Sequence, residues 1–160
     1  MLPNRVTIVQ YNDSYQAELE VLLKELSQEL FQTGSCNIKE FVEGHWCIYL
    51  AIIETKVIGF AGFVYNKYFG FRKPTVGLTY LYVKPEHRGS KANYLLNIQS
   101  GVLSISNNLP LEHHYASEHS IRMSRKVNGK KIYETWLYEV DEVMTAFKRL
   151  TSKVNIKENK

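Results

Sequence analysis

Tyr80-Leu-Tyr-Val-Lys-Pro-Glu-His-Arg-Gly-Ser-Lys-Ala-Asn-Tyr-Leu-Leu96 is the stretch on which the reading of this chain turns. Its first residues are aromatic and β-branched and complete a strand predicted over Thr75–Val83. Pro85, which has no amide hydrogen to give a sheet, ends that strand. Arg88-Gly89-Ser90 then opens a helix, and Ala92–Asn107 carries Leu95, Ile98, Val102 and Ile105 on one helical face. A helix start presents amides with no acceptor of their own, together with the positive end of the helix dipole, so it attracts anions. Gly89 lets the backbone come close to a phosphate, Ser90 adds a hydroxyl, and Arg88 and Lys91 add positive charge. These residues indicate a phosphate-bearing ligand without saying which one. The chain has no GxxxxGK[ST] and no GxGxxG, which disfavours a P-loop and a dinucleotide fold.

Working outward, Arg5–Tyr11 alternates as a first strand, and Asp13-Ser-Tyr-Gln16 matches a capping box. The helix behind it repeats Leu19, Leu22, Leu23, Leu26 and Leu30, Gly34-Ser35 breaks it, and a short helix follows at Ile38–Val42. Trp46–Glu54 and Lys56–Tyr68 read as strands joined by a tight turn. Beyond Pro110 the expected order is a strand at Leu111–Ala116, a helix at Ser117–Val127, a strand at Lys131–Val140 and a terminal helix at Asp141–Lys153. Three hairpin-joined strands followed by strand–helix–strand crossovers predict an α/β fold, a mixed central sheet with helices on both faces. One domain over 1–153 with a frayed tail at 154–160 is expected.

The 160 residues and 44% apolar content suit one globular domain. No apolar run reaches the roughly 18–20 residues that a membrane span needs. MLPNRVTIVQ lacks the pattern of a secretory signal, and Cys36 and Cys47 form no CxxC, so a reducing, cytoplasmic setting is expected. A net charge of +4 allows a nucleic-acid partner without favouring one.

The strand-Pro-Glu-His-Arg-Gly-Ser segment resembles the coenzyme-A-binding motif of the GNAT superfamily of N-acyltransferases, R/Q-x-x-G-x-G/A, and the element order over nearly the whole chain resembles that fold. Arg88 matches the leading basic residue, while Lys91 and Asn93 stand where the family usually has Gly and Gly or Ala. The resemblance implies that Arg88, Gly89, Ser90, Lys91, Ala92 and Asn93 hold the coenzyme phosphates. Leu81, Tyr82 and Val83 would lend backbone groups to the pantetheine arm. It further implies acetyl-CoA as co-substrate and an amine, small molecule or protein, as acceptor. A homodimer is compatible with it.

Attack on a thioester needs a neutral amine, hence a base, and the departing thiolate benefits from an acid. Candidates cluster in Glu112-His-His-Tyr-Ala-Ser-Glu-His119. A strand there would set His113 and Tyr115 on one face and Glu112 and His114 on the other. His114 is the candidate base, with Glu112 or Glu118 in support. The histidines make no zinc-protease pattern, so no metal is expected. Where many relatives place a Tyr acid, before a Gly-Phe turn, this chain has Ser124 and Arg125 ahead of Asn128-Gly129-Lys130. Tyr115 or Tyr133 is a candidate substitute, with protonation of the thiolate by solvent as the alternative. A coenzyme-binding module without turnover is therefore a second reading. A nucleic-acid-modifying enzyme is a third, drawn from the basic residues Arg122, Arg125, Lys126, Lys130 and Lys131.

Overall fold

In the computed structural model, Lys56 stands directly opposite Ile53, so only Glu54 and Thr55 turn the chain between β2 (Cys47–Ile53) and β3 (Lys56–Asn66). Glu54 takes a left-handed φ of 56° to close that turn. The structure describes residues 5–66, 74–114, 130–132, 135–138, 140–145 and 148. They fall into two compact units, 1–64 with 79–99, and 65–78 with 100–160.

In the first unit β1 (Val6–Gln10) and β3 both pair antiparallel with β2, and β4 (Thr75–Val83) borders β3. The long helix starts later than the capping-box reading. Asn12, not Asp13, accepts the Ser14 amide at 3.0 Å and starts a single tight turn, after which α1 runs Gln16–Phe31. It ends at a left-handed Gln32 (φ 59°), two residues ahead of Gly34. Leu19, Leu22, Leu23 and Leu26 are buried against Ile48, Leu50, Ile52, Val57, Phe60 and Tyr82. Each buried leucine contributes about 2–3 kcal/mol of transfer free energy. Leu30, expected in the same stripe, is 55% exposed because it falls in the last turn, past the strands. α2 spans Ile38–Gly44, capped by Asn37, whose side chain accepts the Glu40 amide.

In the second unit the strand order is β4-β5-β7-β6, with β5 at Leu111–His114, β6 at Lys130–Ile132 and β7 at Thr135–Tyr138. β5 is parallel to β4 over Val76–Leu78 and antiparallel to β7, so the sheet is mixed. The single last strand expected over Lys131–Val140 is thus two antiparallel strands. Ala116 and the helix expected over Ser117–Val127 lie outside the described residues. Residues 140–145 are helical with Val143 buried, while Phe147, Leu150 and the tail fall outside.

α3 occupies Ala92–Asn107, as its periodicity predicts, but it buries a different stripe. Ala92, Leu96, Ser100, Leu103 and Ser104 are buried, whereas Val102 is 38% exposed and Leu95, Ile98 and Ile105 are only half-buried. The buried positions 92, 100 and 104 carry small residues. Ser104 keeps its hydroxyl satisfied there by donating to the Leu109 carbonyl at 2.6 Å. No helix among the described residues is long and apolar enough to cross a membrane.

Candidate active site

β4 runs into the candidate anion turn, which lies ahead of the helix and not in its first turn. Pro85–His87 forms one tight 3-10 turn, residues 88–91 form a loop, and α3 begins at Ala92. Several amides in this segment are used locally. His87 donates to the Lys84 carbonyl, Arg88 to Pro85, Ser90 to His87, and Ala92 to the Ser90 hydroxyl at 3.2 Å. The amides of Gly89, Lys91, Asn93 and Tyr94 take no acceptor among the described residues. They sit where α3 begins, at the positive end of its dipole. Nothing lies within 4 Å of where a Gly89 side chain would start, so the loop faces open space, and Gly89 does not hold a left-handed φ.

The positive charges of the turn are arranged in a way the sequence did not suggest. Arg88 donates from Nε to the Val83 carbonyl at 3.1 Å and pairs through Nη2 with Glu29, its guanidinium lying 5.9 Å from the Tyr82 ring centre. Four residues earlier on each element, Lys84 pairs with Glu25 at 3.2 Å, and Glu25 also accepts from the Tyr82 hydroxyl. Two cations spaced by four thus meet two carboxylates one helical turn apart on α1, clamping α1 to the end of β4. Burial and the nearby carboxylates of Glu25 and Glu29 push the Tyr82 hydroxyl up to about 12, so it stays protonated as a donor. Lys91 forms no ion pair among the described residues and is exposed. A cleft of about 560 Å³ beside the clamp is lined by one cation, Lys24, and three carboxylates, Glu25, Glu29 and Glu86, so its lining is net acidic.

Of the candidate acid–base residues, Glu112 alone has a described side chain. It is fully buried, accepting from Thr75 Oγ1 at 2.8 Å and Asn66 Nδ2 at 3.4 Å. His114 is on β5, with its side chain outside the described residues, as are Tyr115, Glu118 and Tyr133. The basic residues from Arg122 to Lys126 fall outside too, and so do Tyr68, Phe69 and Phe71. Cys47 is a half-buried thiol pushed up to about 11 by burial, which fits a small hydrophobic role.

Sequence reasoning missed His45. It follows α2, its Nδ1 lies 2.6 Å from the Phe41 carbonyl, and its Nε2 lies 2.8 Å from Thr79 Oγ1. Its ring stacks on Phe41 with centres 4.1 Å apart. The ring occupies space that a side chain at Gly62 would take, since a Cβ there would fall 2.7 Å from His45 Cδ2. A signal was present: isolated glycines inside a strand mark close approach of another group. Beside the ring is a cavity of about 530 Å³, walled by Leu23, Leu26, Phe31, Phe41, His45 and Tyr80, with Ser27, Thr33, Ser35, Cys36, Asn37 and Glu40 as its polar lining.

Burial lowers the His45 pKa from 6.5, against a smaller opposing effect of the Phe41 carbonyl. The folded protein therefore takes this proton less readily than the unfolded chain does. His45 leaves stability intact above pH 6.5 and removes it as the pH falls through the lower folded value. The wild-type melting temperature should drop more steeply below pH 6.5 than that of His45→Gln. Parallel melting curves from pH 7.5 to 5 for the two proteins would contradict this.

A mixed sheet with helices, in which β4 leads into an amphipathic helix, defines an α/β fold. The chain belongs to the acetyltransferase (GNAT) family, whose model matches residues 10–96, more than half of its length. No curated protein matches it in sequence. Among solved structures it resembles a GNAT-family acetyltransferase from Staphylococcus aureus Mu50, with TM-score 0.67 and 12% identity over 85% of this chain and 99% of that one. It also resembles a GNAT-family acetyltransferase from Brucella melitensis in complex with acetyl-CoA, with TM-score 0.65 and 14% identity over 85% of this chain and 88% of that one. A third is a point mutant of the toxin AtaT, bound to the C-terminus of the antitoxin AtaR and to acetyl-CoA, with TM-score 0.65 and 13% identity over 89% of this chain and 98% of that one.

Proposed function

We propose that this protein transfers the acetyl group of acetyl-CoA to an amine by direct attack, without a covalent enzyme intermediate. The observation that carries the reading is the set of open amides at Gly89, Lys91, Asn93 and Tyr94 where α3 begins. Unpaired amides at a helix start suit the diphosphate of coenzyme A, and the open space over Gly89 admits it. Lys91, exposed and outside every ion pair among the described residues, is the cation that meets the phosphates. Arg88 acts through position, holding the end of β4 and the turn against α1. Backbone groups of Leu81, Tyr82 and Val83 pair with the pantetheine arm, and one of those amides polarises the thioester carbonyl. Acetyl-CoA supplies an activated acyl group with a good leaving thiolate. The free thiols Cys36 and Cys47 suit work in the reducing cytoplasm.

A ligand that binds only the folded state raises the melting temperature by mass action. Acetyl-CoA should give a dose-dependent upward shift, and dephosphorylated pantetheine a clearly smaller one. The absence of any shift at millimolar acetyl-CoA would sink the coenzyme assignment. Thiol release in the presence of amine, peptide and nucleic-acid panels then separates an enzyme from a coenzyme-binding module. Binding without release with any acceptor would identify the module.

A further inference from the structure

The cavity of about 530 Å³ lies between α1, the residues leading into α2, and β4, all within the first unit. Its volume falls in the range of small-molecule sites. Leu23, Leu26 and Phe31 from α1 form one apolar wall, and Phe41 and Tyr80 form another. The Phe41 and Tyr80 rings are tilted by 51° with centres 5.6 Å apart, and the His45 ring centre is 6.0 Å from Tyr80, so three flat groups meet at one corner. Phe31 is 66% exposed, an aromatic surface that the described chain leaves to solvent.

Among the described residues that line the cavity, Glu40 carries the one formal charge. His45 is neutral at pH 7, because burial lowers its pKa from 6.5, and burial raises that of the Cys36 thiol. Glu40 Oε2 accepts from Asn37 Nδ2 at 3.2 Å, a hydrogen bond that leaves its charge in place. The neighbouring lysines are paired elsewhere, Lys39 with Glu43 at 3.9 Å and Lys24 with Glu20 at 2.7 Å. The lining therefore joins flat apolar walls to a single negative charge that no ion pair among the described residues offsets.

We propose that this cavity holds the acetyl acceptor, a small primary amine with one positive charge on an aromatic body, with Glu40 as its counter-charge. This rests on the amine-acetylating reading above and gives that reading a substrate class. Aromatic walls favour a flat body through edge and offset-stacked contacts, and their faces attract a cation. One carboxylate matches one ammonium and leaves the further charges of a polyamine without partners. Tyr80 immediately precedes Leu81, the first residue assigned above to the pantetheine arm. The cavity wall is thus about 3.3 Å along the strand from the start of that path. In the transfer the N–C bond forms as the C–S bond breaks, and the thiolate leaves with the electron pair. Of the three ammonium protons, one stays on the amide, one ends on the coenzyme thiol and one goes to solvent.

The test titrates 2-phenylethylamine and its neutral analogue 2-phenylethanol into the full chain saturated with coenzyme A, by calorimetry. The amine should bind more tightly than the alcohol. Glu40→Gln, at an exposed position of α2, should weaken the amine about two- to fivefold and leave the alcohol unchanged. Phe31→Ala should weaken both compounds, since each loses an aromatic wall. Ser35→Trp, which fills the cavity from an exposed lining position, should block both while acetyl-CoA affinity stays as in wild type. Thiol release from acetyl-CoA should follow the same order and be faster with 2-phenylethylamine than with spermidine or a lysine-containing peptide. Equal binding of amine and alcohol, or a Ser35→Trp protein that still acetylates 2-phenylethylamine, would overturn the site. Thiol release with spermidine or the peptide but not with 2-phenylethylamine would overturn the acceptor class and leave the acetyltransferase reading standing. Wild-type protein that binds 2-phenylethylamine but releases no thiol with any acceptor would overturn the acetyltransferase reading, and the acceptor role with it.

Discussion

Gly89→Val abolishes acetyl-CoA binding and leaves the free protein folded, with a melting temperature within about 2 °C of wild type. The expectation follows from two features of the turn. Gly89 holds no left-handed φ and has nothing beyond its chain neighbours within 4 Å of where a Cβ would sit, so a side chain starts into open space without left-handed strain. What the branched side chain does fill is the space over the open amides. Losing two hydrogen bonds to a charged phosphate, at about 1.5 kcal/mol or more each, weakens binding by roughly 100-fold or beyond. Arg88→Ala should behave differently. Its guanidinium is committed to Glu29 and the Val83 carbonyl, so its removal loosens the α1 clamp and affects the coenzyme indirectly. An exposed ion pair of this kind is worth under about 1 kcal/mol. Calorimetric titration of acetyl-CoA into the wild type and both variants checks the order. Equal affinity in wild type and Gly89→Val would mean that the phosphates sit elsewhere.

Gly59→Ala should be the most destabilising single methyl in the first unit. A Cβ at Gly59 would lie 2.5 Å from the Tyr82 carbonyl oxygen and 3.1 Å from Val83 Cα. Both are backbone atoms, so relief requires β3 and β4 to move apart rather than a side chain to swing away. Overpacking of this kind costs about 2–3 kcal/mol, or roughly 5–10 °C in melting temperature for a chain of this size. The displaced residues, Tyr82 and Val83, are those assigned to the pantetheine arm, so the Michaelis constant for acetyl-CoA should rise as well. Thermal melting with and without coenzyme, together with initial rates against acetyl-CoA concentration, measures both effects. A melting temperature equal to wild type would show that the two strands do not approach this closely at Gly59.

Local signals decided much of this protein. The leucine repeat on α1, the two-residue turn after Ile53 and the bounds of α3 are short-range matters of periodicity and turn chemistry, and they are legible in the sequence. The order of strand, proline turn and amphipathic helix was legible for the same reason, since all three fall within one continuous stretch. Tertiary structure decided what periodicity leaves open. α3 buries Ala92, Leu96, Ser100, Leu103 and Ser104 and leaves Val102 exposed, a choice between faces that its periodicity alone did not make. The pairing of Arg88 with Glu29, 59 residues away along the chain, is invisible in the sequence. The pairing of His45 with Thr79 depends on Gly62 vacating volume from a third segment, on β3. A one-dimensional pattern records which face a residue takes in its own element. Which residue of another element meets it is set only when the strands and helices close on one another.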